Sequence, residues 1–139
     1  MCVRLRLAAA LLAAHLPNAH AAPSATGLWL TEDRGGVVEI APCGAGLCGR
    51  IVGMAAAAAP NEAPRCGLTI LPDATLGPDG RYSGHITDPS TGSVWQCSLW
   101  LDDADTLHLR GYVLLPWLGQ TQRWTRYTGR VTDRCDMTS

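Results

Sequence analysis

SVWQCSLWL, residues 93–101, alternates from end to end. Trp95, Cys97, Leu99 and Leu101 fall on one face, and Trp100 stands on the opposite one. Strict alternation is the mark of a β-strand with one face buried, because successive side chains leave opposite sides of the pleat. Immediately downstream, Thr106–Val113 repeats the pattern, with Leu107, Leu109 and Val113 opposite His108, Arg110 and Tyr112. The acidic run Asp102-Asp103-Ala104-Asp105 between them reads as the cap of a hairpin. It lacks the remaining ligands of a calcium loop.

Working outward, turn chemistry divides the rest of the chain into short runs. Asp88-Pro89-Ser90-Thr91-Gly92 is a strong turn, with the Asp88 carboxylate placed to bond its own backbone. Arg81–Thr87 precedes it as a strand, and Cys66–Leu71 is the one before, with Pro72–Gly80 as the connection. Val37–Pro42 and Leu47–Met54 flank a GAGL loop as a hairpin, Gly27–Thr31 comes first, and Gln120–Tyr127 comes last. The alanine-rich stretch from Met54 to Arg65 contains Pro60 and Pro64 and reads as a linker loop. No window carries a helical stripe. About eight short strands at this spacing predict an all-β fold, a single small antiparallel β-barrel whose closure removes exposed edges.

The N-terminal end reads as a secretory signal peptide over residues 1–21. Arg4 and Arg6 precede the apolar run Leu7–Leu16, Pro17 breaks it, and Ala19-His20-Ala21 has the small-x-small form of a cleavage site. Cleavage is expected after Ala21, with Ala22 as the alternative. A lipid anchor needs a cysteine just after the apolar run, and the only early one, Cys2, precedes it, which argues against that anchor. The run is also shorter than the roughly 20 apolar residues of a membrane span. Residues 22–139 then form one barrel domain with a polar C-terminal tail, periplasmic or secreted. A formal net charge of −1 gives no basic footprint for nucleic acid.

Compartment decides how the cysteines are read. Cys43, Cys48, Cys66, Cys97 and Cys135 remain after Cys2 leaves with the leader, and an oxidising environment favours disulfides. Cys43 and Cys48, opposed across the GAGL loop, form a staple worth roughly 2 kcal/mol by loop entropy. Neither zinc nor dithiol redox chemistry fits them, since no second ligand pair is present and the spacing is not C-x-x-C. Cys66 and Cys97 sit in separate strands, and a bridge between them is favoured over a buried free thiol at Cys97. Cys135, in the tail VTDRCDMTS, is then the odd one out.

Two segments carry family resemblances. TGLWL, residues 26–30, resembles the Gly-x-Trp motif of the lipocalin and wider calycin barrels. That resemblance implies that Gly27, Trp29 and Arg126 close the barrel, with the arginine packed across the tryptophan. VVEIAPCGAGLCGRIVGM, RCGLTIL, the Asp88-Pro89-x-x-Gly92 turn and RGYVLLPWLGQTQRWTR follow in that order. Together they resemble the bacterial domain-of-unknown-function family 2147, which implies a small exported protein with a lipocalin-like barrel. Thr87, Leu114 and Gln120 depart from that pattern, where Tyr, Gly and Arg are usual. The family has no established activity, so function is left to the residues.

No nucleophile elbow, H-E-x-x-H or phosphate loop is present, and His85 and His108 fall on polar strand faces as solvated histidines. No catalytic residue, metal or cofactor is therefore expected. The tryptophans point to binding instead. Trp95, Trp124, Leu99 and Trp117 are the expected contacts for a small hydrophobic ligand inside the barrel. Trp117 belongs to the apolar segment Val113–Gly119, which reads equally well as a lid, a plug or a surface for an envelope partner. The expected function is non-enzymatic binding of a small apolar ligand. A packed barrel acting as a protein- or lipid-interaction module is the alternative, and a hydrolase is third.

Overall fold

The computed structural model describes residues 24–55, 65–115 and 119–138. The expected signal peptide and Trp117 lie outside the described residues. Eight strands form one closed antiparallel barrel in which each pairs with its neighbour in sequence. They are β1 (Gly27–Leu30), β2 (Gly36–Cys43), β3 (Gly46–Met54), β4 (Thr69–Leu76), β5 (Tyr82–Thr87), β6 (Val94–Asp103), β7 (Thr106–Tyr112) and β8 (Gly119–Arg126). The opening stretch of the sequence is β6, held between β5 and β7, with Cys97 opposite Gly84 on one side and Gly111 on the other. A short hairpin follows, β9 (Arg130–Val131) and β10 (Met137–Thr138).

Closure between β1 and β8 is built by Trp29 and Arg126, which are direct partners in the ladder. The Arg126 guanidinium lies 3.9 Å over the Trp29 ring. It also donates to the carbonyls of Thr26 at 2.6 Å, Ser24 at 3.1 Å and Ala104 at 2.7 Å. One planar fork thus ties the N-terminal segment, β8 and the β6–β7 turn together, which a point-charge lysine cannot do. The Trp29 indole donates to the Ala25 carbonyl at 2.8 Å, so its only polar group is satisfied in a fully buried site. Gly27, at φ +123°, leaves room for the fork, since a Cβ there would stand 2.7 Å from Arg126 Nη1.

Above this closed end lies the core, formed by Trp29, Ile40, Leu71, Leu99, Leu107 and Trp124 with their neighbours. Outside the barrel, the side chains of Glu39, Arg50, Asp73 and His85 face water. That is the reverse of the apolar band a lipid-facing barrel presents.

Three expectations need correction. First, the β2–β3 connection is a two-residue turn, Gly44-Ala45, with Cys43 opposite Gly46 and Ala41 opposite Cys48. Gly44 at φ +55° permits the tighter turn. Cys43 and Cys48 are therefore diagonal rather than opposed, and they form a disulfide across a Cα separation of 5.7 Å. Second, the fourth strand runs through Pro72 to Leu76. Its proline is tolerated because the β3–β4 register is irregular around it and the β4–β5 ladder pairs only Thr75 and Leu76.

Third, Cys66 pairs with Cys135, not with Cys97. Cys97 is sealed in the core at 0% exposure and is a free thiol, whereas Cys66 sits in an exposed turn ahead of β4. Cys135 is not left over, because the tail folds back onto the barrel. Met54 donates to the Cys135 carbonyl at 2.8 Å and bridges to Asp136. A Cβ on Gly53 would meet Val131 and Met137, so only glycine admits the tail hairpin this close.

Candidate functional site: an open cavity in one half of the barrel

The two ends of the barrel differ. At the closed end, tight turns and the Arg126 fork seal the core. At the other end the β1–β2 turn, the β5–β6 turn and the ends of β3, β7 and β8 surround a cavity of about 1150 Å³. This is slightly above the roughly 300–1000 Å³ usual for a small-molecule site. Its wall is apolar where β2, β3, β4, β5, β6 and β7 contribute Val38, Ile51, Ile70, Ile86, Trp95 and Leu109. Trp95 shows the incomplete filling most directly: it pairs with Ile86, faces the cavity and still retains 39% exposure.

The rim is polar, with Thr31, Asp33, Arg34, Arg65, Asp88 and Ser90. Asp88 is held as a carboxylate below its usual range, first by the Ser90 hydroxyl and then by the Ser90 amide, with Arg65 adding attraction. The same side chain shapes the β5–β6 turn, where Ser90 N donates to Asp88 Oδ1 at 2.8 Å and Gly92 N to the Asp88 carbonyl at 2.8 Å. Gly92 completes it at φ +75°. Asp33 is lowered likewise, by the Thr31 hydroxyl and then the Gly35 amide. Both rim acids are thus committed to their own turns.

Three of the four expected contacts are among the described residues, Trp95, Leu99 and Trp124, and of these only Trp95 lines the cavity. Leu99 and Trp124 are buried at 2% and 3% in the core beneath it. They belong to inward faces, as their alternation predicts, but one level deeper along the barrel axis, where side chains already fill the interior. Sequence reasoning missed Ile70, Ile86, Gln120 and Gln122. The signal for the two glutamines was present, because they alternate with Trp124 on β8, yet their depth depends on register. Among Val113–Gly119, the described residues Val113, Leu114 and Leu115 stand at 49%, 79% and 40% exposure beside the opening.

On the outer wall, His85 and His108 are partnered rather than simply solvated. His85 Nδ1 lies 2.8 Å from Asp73 Oδ2, and the His85 amide donates to Asp73 Oδ1 at 2.8 Å. Asp73 therefore bridges the gap where β4 and β5 part, and its carboxyl is held below the usual range by these bonds to His85. Trp100, expected to face outward, stacks on His108 at 5.3 Å and lies under Arg81 at 4.2 Å. Among the described residues, no three His, Cys, Asp or Glu side chains converge to hold a metal ion. Burial, reinforced by the charge of Asp73, pushes the Cys97 thiol up to about 12, which keeps it protonated and unreactive.

The sequence profile of the family described as "Uncharacterized protein conserved in bacteria (DUF2147)" matches residues 27–126, the span of the barrel from β1 to β8. No curated protein and no solved structure matches the chain.

Proposed function

The chain belongs to this family of uncharacterized bacterial proteins, and from that premise we infer an exported, non-enzymatic binding protein whose barrel takes one small, largely apolar ligand. The observation that carries the reading is the unfilled half of the barrel, with Trp95 facing inward yet 39% exposed. A tryptophan buries up to about 250 Å², so covering that remainder contributes roughly 2 kcal/mol to binding. The two disulfides, Cys43–Cys48 and Cys66–Cys135, fit an oxidising compartment and support export to the periplasm or medium.

Tryptophan fluorescence tests this. Adding a hydrophobic probe should quench emission in the wild type, and W95A should lose most of the response. An unchanged response in W95A would place binding elsewhere. Turnover of a generic ester, abolished by H85A, would replace the reading with a hydrolase.

A second reading rests on Leu114, at 79% exposure between two other exposed apolar residues. This apolar lip favours an interaction with an envelope protein or lipid through Val113–Gly119. Loss of partner co-purification in L114S, with probe binding intact, would separate it from the first.

A further inference from the structure

The inner face of β8 interrupts the apolar lining. Its inward positions are Gln120, Gln122 and Trp124, opposite Gly111, Leu109 and Leu107 of β7. Trp124 Nε1 lies 2.9 Å from Gln122 Oε1. An indole N–H can only donate, so this bond decides which end of the Gln122 amide is oxygen. The amide's –NH₂ is then the group left to the cavity, which Gln122 lines beside Leu109. Among the described residues no acceptor takes either of its two hydrogens.

Such a donor is satisfied while the cavity holds water. A ligand that expels the water must supply an acceptor or leave the donor stranded. The charged lining groups, Arg34, Arg65, Asp33 and Asp88, belong to the loops at the mouth, while Gln122, itself exposed where it lines the cavity, pairs with Leu109 one inward position before the buried Trp124. A carboxylate seated on the Gln122 amide would lose water to the ligand's own apolar remainder and the Leu109 wall without gaining a cation, whereas a neutral carbonyl would not carry that penalty.

Resting on the binding reading above, we propose that the cavity selects ligands bearing a neutral hydrogen-bond acceptor, an ester, amide or ketone carbonyl. This oxygen seats on the Gln122 amide, and the apolar remainder runs past Trp95 and Ile86 toward the mouth. Gln122 is thus the residue that separates an acyl ester or amide from a plain hydrocarbon.

The test compares methyl octanoate with decane by displacement of a bound hydrophobic fluorophore at pH 8, in the wild type and in Q122E. The substitution keeps an acceptor for Trp124 while replacing the –NH₂ donor with a carboxylate oxygen. The ester-to-alkane affinity ratio should fall about fivefold or more in Q122E, the worth of one hydrogen bond. An unchanged ratio, with both probes still binding, overturns this proposal and leaves the binding reading standing. Displacement by neither probe overturns both.

Discussion

Removing Cys66 and Cys135 together should destabilise the protein about twice as much as removing Cys43 and Cys48. The bridges span 69 and 5 residues. Loop-closure entropy then assigns them about 4.4 and about 2 kcal/mol at 25 °C. The difference, about 2.3 kcal/mol, depends only on the ratio of the two spans, since the constant cancels. The longer bridge also anchors the tail whose backbone caps Met54, which adds to its share. Urea unfolding of C66S/C135S and C43S/C48S, compared with the wild type, measures both losses, and the slopes report any change in the unfolded state. In a thermal melt the larger loss corresponds to a fall of roughly 15–20 °C for a domain of this size. Equal losses, or a larger loss for C43S/C48S, would refute the reasoning.

Three other outcomes are expected. R126K keeps a positive charge over Trp29 but loses the fork to Ser24, Thr26 and Ala104, and should cost about 2 kcal/mol, against roughly 3–4 for R126A, in the same unfolding assay. Cys97 should ignore a thiol reagent at pH 8 in the folded protein and react once the chain is unfolded without reduction, because its thiol is pushed to about 12. A reactive Cys135 in the native state would contradict the Cys66–Cys135 pairing. Asp33 and Asp88 have folded-state pKa values below the ordinary 3.8, so their contribution is present above that value and lost as pH falls through the lowered ones. Unfolding midpoints from pH 5 to 2 should decline less steeply in D88N, and an unchanged slope would exclude Asp88 from the effect.

The barrel was legible because its strands are amphipathic. Leu107 and Leu109 alternate with His108 and Arg110, and the register places them as that pattern requires. Val113 broke the pattern: extrapolated inward from β7, it lies beyond the last strand residue and is exposed. The β4 boundary was missed because Pro72 reads as a strand terminator, while here it falls where the ladder is already irregular. Cys97 and Cys66 looked like partners because both occupied strand-like segments. How deep each cysteine sits is a property of the closed barrel: Cys97 is sealed in the core, and Cys66 lies in an exposed turn ahead of β4.

What the sequence by itself determined is the set of inward faces, the turns at Asp88–Gly92, and the Trp29–Arg126 closure that the Gly-x-Trp resemblance implied. These are local, being set by period-2 patterning and by residues that shape their own backbone. What only the tertiary structure decided is depth. Trp95 and Leu99 share one face of one strand, yet Trp95 lines an open cavity and Leu99 is sealed in the core. Strand stagger and closure assign each level of the barrel axis its neighbours, and whether those neighbours fill the space is a sum over eight strands that no single strand records.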